Sequence, residues 1–280
     1  MSDCFILYEE INWSDKKLGK GSAGEVVLGE YKGKKVAVKQ FANNDINEII
    51  EELKKHKNLR SEYIIEFCGV VKSPNNRMYL VTKFAKKGTL QCHKHGIVHS
   101  DLKADNILVD KHLTLKIADF GLSITKEALS LGEKAGGALL WRAPERFADY
   151  KPFKNQYASK PEFSKIFDEN MAKLYKDRPQ LLDVYSYGLI VWEITTNGMN
   201  LYSDIKNNES LLRVKMREDI NDLEEILVQK DVPGIIKTII KKCCEFDPLK
   251  RISFEQVIFD LQDKFKNIVY NDRGKSHLLE

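Results

Sequence analysis

The stretch HGIVHSDLKADNILVD at residues 95–110 is the most informative part of this chain, because it sets chemically active side chains at short intervals. Asp101 can accept a proton from a hydroxyl group, and Lys103 can offset negative charge on a group in transfer. Asn106 offers an amide oxygen to a metal ion. This combination is typical of sites that transfer a charged group to a hydroxyl.

A glycine-rich stretch, GKGSAG at residues 19–24, lies upstream and contains Gly19, Gly21 and Gly24. Glycines allow backbone N–H groups to approach phosphate oxygens without Cβ clashes. The following residues, EVVLGEY, are strand-like, so the stretch favours a β-hairpin over nucleotide phosphates rather than the helix of a dinucleotide-binding fingerprint. Taken alone, this glycine pattern is only weak evidence for a nucleotide-binding site.

Two further charged positions complete the candidate site. Lys39 ends the strand-like VAVK, and an ammonium group inside a lobe needs a carboxylate and a phosphate as partners. Glu52, in a helix predicted over 44–60, is the preferred carboxylate, with Glu48 and Glu51 as alternatives. An exposed strand lysine is an equally good interpretation of Lys39 alone. Asp119, in the triplet DFG, is a second candidate metal ligand.

In this order, the elements resemble the signature set of the protein kinase family, which also includes the APE triplet at 143–145. The resemblance covers nearly the whole chain. LLWRAPE and SYGLIVWEITTNG are similar to the tyrosine-kinase-like group, which includes Raf and mixed-lineage kinases. DLK at 101–103 points to transfer onto serine and threonine.

The resemblance implies an α+β, bilobal fold. A small β-rich N-lobe would span residues 1–85, with a five-stranded sheet and one helix, and a larger helical C-lobe would span 86–280, with the catalytic loop and the activation segment. Apolar spacing beyond residue 180 predicts four helices, in LLDVYSYGLIVWEITT, SLLRVKMREDI, PGIIKTIIKKCCEF and SFEQVIFDLQDKFKNIV.

The resemblance also implies ATP and Mg²⁺ as cofactors. Lys39 and the glycine-rich loop would hold the phosphates, Asn106 and Asp119 would hold Mg²⁺, and Asp101 would orient the acceptor hydroxyl. Thr82 would be the gatekeeper. The residues expected to surround the nucleotide are Leu18, Gly19, Gly21, Gly24, Val26, Ala37, Lys39, Thr82, Lys83, Ala85 and Leu108.

Two more residues would support the site. Asp183 would hold the catalytic loop, and Arg251 would pair with Glu145 of APE; a surface arginine is the alternative for Arg251.

The chain departs from the family pattern at several places. Ser100 replaces a common arginine, which puts control by loop phosphorylation in doubt. Ala138 stands where these kinases generally have a threonine that reaches the catalytic aspartate. Between Leu90 and His99 only QCHKHGIV is present, where kinases place two helices, so roughly 30 residues are missing. Their absence would expose apolar side chains of the helix at 184–194. By contrast, 147–180 looks longer than the family needs.

These departures keep two alternatives open. One is a pseudokinase-like module that binds nucleotide or a partner without transferring phosphate. The other is a chain that does not fold stably.

The amino-acid composition argues against nucleic acid and membrane as partners. The 45 Lys and Arg residues and 41 Asp and Glu residues are interleaved, which indicates a solvated surface rather than a nucleic-acid patch. The chain lacks a run of about 18 apolar residues, and its start does not resemble a secretory signal, so we expect a cytoplasmic protein with a protein substrate and no membrane partner. Oligomeric state is left open.

The five cysteines are expected to be buried thiols. Cys92, His93 and His95 form only a weak candidate metal site.

Overall fold

The computed structural model describes residues 4–21, 24–41, 64–83, 97–109, 115–125, 138–149, 155, 159–161, 177–198, 202, 205, 207–215 and 232–272. The predicted helix at 44–60, with Glu48, Glu51 and Glu52, lies outside these ranges. So do Ala85, the Cys92–His93–His95 cluster, residues 90–96 and most of 147–180. By residue contacts the chain divides into unit 1, residues 1–99 and 105–123, and unit 2, residues 100–104 and 124–280. The boundary after residue 85 stays a prediction.

Unit 1 contains the predicted β-rich sheet. Its strands are β1 (Phe5–Ile6), β2 (Ile11–Gly21), β3 (Gly24–Tyr31), β4 (Lys34–Gln40), β5 (Phe67–Lys72) and β6 (Met78–Lys83). They lie in the order β1-β5-β6-β4-β3-β2, antiparallel except for β1, which runs parallel to β5. The sheet has six strands, one more than expected, because the two-residue β1 joins its edge.

The two faces of this sheet have different roles. Val36 and Val38 of β4 are almost fully buried and belong to a core cluster with Ile6, Ile11, Val71 and Val81. Because successive side chains of a strand point to opposite faces, Ala37 and Lys39 lie on the other face. Ala37 is opposite Thr82, and Lys39 is opposite Val26 and Leu80. The alternation in VAVK therefore places Val36 and Val38 on the core face of the sheet and Ala37 and Lys39 on the candidate nucleotide face.

The turn between β3 and β4 shows how local sequence sets this register. Lys32 and Gly33 have φ values of 48° and 71°, and Tyr31 pairs with Lys34 across them. Two central residues with positive φ make the tight hairpin turn that matches strand twist, and glycine accepts this conformation without strain.

Unit 1 also contains the short strands β7 (Ile97–Val98), β8 (Ile107–Val109) and β9 (Leu115–Ile117). The strands β8 and β9 pair antiparallel, with Leu108 opposite Lys116. Ile117 additionally bridges Ile64. This small hairpin positions the residues on either side of it.

Unit 2 contains β10 (Ile124–Thr125) and, among the described residues, the four α-helices α1 (Gln180–Thr195), α2 (Asn208–Lys215), α3 (Gly234–Cys243) and α4 (Phe254–Asp272). Each overlaps one of the predicted helical stretches, and α2 overlaps residues 210–215 of its stretch. The helical character of this half of the chain is thereby confirmed.

The helix α1 is the centre of the described part of unit 2. Leu181 and Val184 pack with Ile239 and Cys243 of α3 and with Val257 of α4. A Cβ atom at Gly188 would lie 2.7 Å from both Cβ of Cys243 and Sγ of Cys244, so α1 and α3 approach closely here.

The predicted exposure of α1 is wrong. Val184, Leu189, Ile190 and Trp192 are at most 5% exposed, and Ile194 is the large apolar side chain of this helix that is open, at 65%. Packing against distant parts of the chain covers this helix, which the local sequence could not show.

Two further observations concern composition. None of the helices in the described ranges is both long and apolar enough to cross a bilayer. Of the four described cysteines, Cys243 and Cys244 are buried thiols as expected, whereas Cys4 and Cys68 are half-buried, and all four are free.

Candidate active site

The glycine-rich stretch forms the predicted β-hairpin in unit 1. Gly21 at the end of β2 is opposite Gly24 at the start of β3, and Gly19 is opposite Val26. The chain continues as a strand after the last glycine, because EVV is rich in β-branched residues. The dinucleotide-binding alternative is therefore excluded.

Lys39 and Asp119 meet in unit 1, although 80 residues separate them. Nζ of Lys39 donates to Oδ1 of Asp119 at 2.7 Å, and the two side chains are 13% and 29% exposed. Burial alone would raise the pKa of Asp119, but the charge and hydrogen bond of Lys39, helped by His99 and the Gly121 amide, lower it. The carboxylate is thus held ionised.

Asn106 is brought to the same end of a hairpin as Asp119. Asn106 directly precedes β8, and Asp119 is the second residue after β9. The Ala118 N–H donates to the Asn106 carbonyl at 2.9 Å, which closes this end, and the Asn106 side chain is buried. The two candidate metal ligands, 13 positions apart in sequence, are therefore neighbours along the hairpin.

The backbone around Asp119 is strained and firmly packed. Asp119 has φ 64°, in the left-handed region that a non-glycine residue rarely adopts. The following Phe120 is fully buried against the His99 ring, with centroids 4.9 Å apart. His99 Nε2 lies 3.0 Å from the Ala118 carbonyl, and Ser123 Oγ donates to the Phe120 carbonyl at 2.7 Å. These contacts hold Asp119 in its unusual conformation.

Asp101 belongs to unit 2 and has a partner on each oxygen. Lys103 Nζ donates to Oδ2 at 3.1 Å, and the backbone N–H of Ala138 donates to Oδ1 at 2.7 Å. Asp101 is 8% exposed. The threonine hydroxyl that Ala138 lacks is thus replaced, for Asp101, by the backbone amide of the same residue.

The predicted support of this loop is present. Oδ1 of Asp183, in the first turn of α1, accepts the N–H of Ser100 at 2.9 Å. Ser100 has φ 67°, so this bond fixes a second strained residue beside Asp101. The role expected for Asp183 is confirmed.

Arg251 pairs with Glu145 as predicted. Nη1 and Nη2 donate to Oε1 and Oε2 at 2.6 and 2.7 Å, and both side chains are at most 1% exposed. Burial, the largest single effect, lowers the pKa of Arg251, but the charge and hydrogen bonds of Glu145, together with Tyr185 and Cys244, outweigh it, so the pKa is raised. The surface-arginine alternative is excluded.

The candidate nucleotide residues on the sheet and on β8 are half-buried: Leu18, Val26, Ala37, Thr82 and Leu108. Lys83 is exposed and forms an ion pair with Glu66. Its N–H donates to the Glu66 carbonyl at 2.9 Å. An adenine contact at Lys83 would therefore use its carbonyl.

Sequence reasoning missed two residues of unit 2, Lys215 on α2 and Ser186 on α1. Both donate to backbone carbonyls of residues 140–142. A signal for Lys215 exists: it lies three and four positions after the buried Leu212 and Leu211, so it occupies an apolar-face position of its helix.

The glycine hairpin and the Lys39–Asp119 pair of unit 1, and the Asp101 loop of unit 2, are elements expected of a phosphotransferase domain. Residues 13–94 and 173–261 match the family model "Protein tyrosine and serine/threonine kinase", and residues 87–162 match "Protein kinase domain". The chain belongs to the protein kinase family. The predicted family is confirmed, and the first model agrees with a tyrosine-kinase-like Ser/Thr kinase.

The names of curated relatives agree with membership of this family. The chain is 31% identical to "Probable serine/threonine-protein kinase SIS8" of Arabidopsis thaliana, over 94% of this chain and 26% of the relative. It is 28% identical to "Serine/threonine-protein kinase CTR1" of the same plant, over 93% of this chain and 33% of the relative. It is 26% identical to "Probable serine/threonine-protein kinase DDB_G0267514" of Dictyostelium discoideum, over 92% of this chain and 28% of the relative. The chain spans about a quarter to a third of the length of these relatives.

The alignment lengths bear on the predicted gap. The alignment with SIS8 runs over 306 residues, but it includes only 94% of the 280 residues of this chain, which is about 263. About 43 aligned positions therefore face a gap in this chain. This total exceeds the roughly 30 residues predicted to be missing between Leu90 and His99, and the missing segment stays a prediction.

Proposed function

We propose that this chain is an ATP-dependent protein kinase that phosphorylates serine and threonine hydroxyls of protein substrates in signal transduction. The observation that carries the proposal is the 2.7 Å contact between Lys39 and Asp119 on the sheet face next to the glycine hairpin. The names of the relatives support Ser/Thr specificity.

The nucleotide half of the chemistry rests on unit 1. Lys39 would bind the ATP phosphates as a cation, and the backbone amides of the glycine hairpin would donate to phosphate oxygens. Val26, Ala37, Thr82 and Leu108 would enclose the adenine, together with Leu18.

The residues present fit Mg²⁺. Asp119 offers a carboxylate whose lowered pKa keeps it ionised, and Asn106 offers an amide oxygen; such hard oxygen ligands suit this ion. Mg²⁺ would neutralise charge on the phosphates.

The acceptor half of the chemistry rests on unit 2. Asp101 would accept the proton of the serine or threonine hydroxyl and orient its oxygen. The bonds from Lys103 and Ala138 orient the Asp101 carboxylate for this role. Lys103 would also offset charge on the phosphoryl group in transfer.

A cytoplasmic setting, with no nucleic-acid or membrane partner, belongs to the same proposal. It is supported by the interleaved charges and by the absence of a membrane-spanning helix within the described ranges.

Incubation of the purified chain with γ-³²P-ATP, Mg²⁺ and a generic protein substrate tests the proposal, with phosphoamino-acid analysis of the product. We expect phosphoserine and phosphothreonine. Lys39→Met and Asp101→Asn should abolish the label, whereas Arg213→Met, an exposed change on α2, should not. Nucleotide binding without transfer would identify a pseudokinase-like module instead, and phosphotyrosine alone would contradict Ser/Thr specificity.

A further inference from the structure

Three consecutive backbone carbonyls of unit 2 are held by buried side chains. Nζ of Lys215 donates to the carbonyls of Leu140 and Arg142 at 2.8 and 2.9 Å. Between them, Oγ of Ser186 donates to the carbonyl of Trp141 at 2.9 Å. The residues are on two different helices, α2 and α1. The backbone of residues 138–142, named here the 138–142 segment, is thus bound along one edge.

The surroundings of Lys215 show that this is a built site. Lys215 is 4% exposed, and its Nζ lies 4.4 and 4.8 Å from the ring centroids of Tyr202 and Tyr185. The two tyrosine hydroxyls are 3.2 Å apart. Burial lowers the pKa of Lys215 well below its ordinary value, which shows how unfavourable this place is for a charge. A buried lysine is rarely tolerated unless it is paired or hydrogen-bonded, and here the two carbonyls and the ring faces serve as partners.

The 138–142 segment leads directly to the candidate catalytic carboxylate. Its first residue, Ala138, donates its N–H to Oδ1 of Asp101 at 2.7 Å. Leu140, the first carbonyl that Lys215 holds, is two residues further on. A substrate that presents its hydroxyl to Asp101 must pass next to this segment, because the segment already touches the carboxylate that the hydroxyl has to reach.

We propose that Lys215 is a positioning residue for the protein substrate, which acts by fixing the 138–142 segment beside Asp101. The proposal rests on the proposed kinase function. The contacts of Lys215 described above are all with residues of unit 2. Its loss is therefore expected to weaken use of the protein substrate and to spare use of ATP.

Steady-state kinetics with a serine peptide separate the two effects. Lys215→Met keeps the apolar stem and removes all three donors. We expect the KM for peptide to rise about tenfold, which corresponds to about 1.4 kcal/mol and to the loss of one to two hydrogen bonds. The KM for ATP should stay within about twofold of the parent value. Lys215→Arg, which keeps donors and charge, should recover part of the loss, and Arg213→Met on the exposed face of α2 should change neither constant.

Hydrogen exchange provides a readout that needs no activity. In Lys215→Met, amides of residues 138–142 should exchange faster than in the parent, and in Arg213→Met they should not. Ser186→Ala, which removes one donor, should produce a smaller change in the same direction, and it also tests the proposal if Lys215→Met does not fold. If the parent transfers no phosphate, the proposed function fails while the exchange experiment still decides whether Lys215 holds the segment.

Two results would overturn the inference. One is unchanged peptide KM together with unchanged exchange in Lys215→Met. The other is an equal rise of both KM values, which would show that the effect of Lys215 is not confined to the protein substrate.

Discussion

Removal of the Arg251 guanidinium is expected to cost a large share of the stability of unit 2. Arg251 donates five hydrogen bonds, two to Glu145 and three to the carbonyls of Leu181, Glu245 and Phe246. It also lies over the Tyr185 ring, 5.0 Å from its centroid. Because Arg251 and Glu145 are buried, water cannot replace the lost partners.

The magnitude follows from burial of the pair. Removing one member of a buried ion pair costs about 3–5 kcal/mol, because the other charge stays in a place without water. A typical domain is stable by about 5–15 kcal/mol, so Arg251→Met should bring the chain close to unfolding at room temperature. The variant Glu145→Met/Arg251→Met should recover part of this loss, because no unpaired carboxylate is left.

Urea unfolding followed by tryptophan fluorescence measures these free energies. The matched control is Arg213→Met, which removes an arginine that pairs with Glu209 at 2.7 Å with a half-exposed side chain. An exposed pair of this kind contributes about 0.3–0.5 kcal/mol. The contrast between the two arginines isolates the effect of burial.

A loss below about 1 kcal/mol in Arg251→Met, or a loss equal to that of Arg213→Met, would refute the reasoning. So would a double variant that is less stable than Arg251→Met by a further 3 kcal/mol.

Three further predictions concern other places in the chain. Gly188→Ala should destabilise the folded chain by about 1–2 kcal/mol, since overpacking outweighs the gain in helix propensity. Gly234→Ala should be neutral or stabilising, because a Cβ atom added there meets open space. Equal melting temperatures of the two variants would contradict this prediction. Because the pKa of Asp119 is lowered in the folded chain, its contribution is present above about pH 4 and is lost as pH falls through the folded pKa. The gap in unfolding free energy between the parent and Asp119→Asn should therefore shrink in acid, and a constant gap would disprove the effect. Grafting the two helices missing between Leu90 and Cys92 from a related kinase should raise the melting temperature and activity, and no gain would show that the gap is harmless.

Motif spacing predicted much of the site because it reflects chemistry that recurs at particular residue types. The hairpin around Gly21 and Gly24, the helices α1 to α4 and the pair of Arg251 with Glu145 are all present. The roles of Lys39, Asp101, Asn106 and Asp119 in catalysis stay predictions.

Local periodicity was less informative where burial depends on distant neighbours. The apolar circumference of α1 predicted a helix, yet whether its side chains would be covered could not be deduced from it. In the structure, Ile239 and Cys243 of α3 and Val257 of α4 cover part of this helix.

The sequence by itself therefore determined the family, the succession of a β-rich region and a helical region, and the side-chain types of the candidate site, since these depend on local pattern and on chemical identity. Only the tertiary structure decided that Lys39 meets Asp119, that the Ala138 amide contacts Asp101, and that Lys215 is buried. A backbone N–H is the same at nearly every residue, and a lysine in an amphipathic helix is ordinarily exposed. Contacts between residues far apart in sequence select one amide and one lysine from many, and such contacts exist only after the chain has folded.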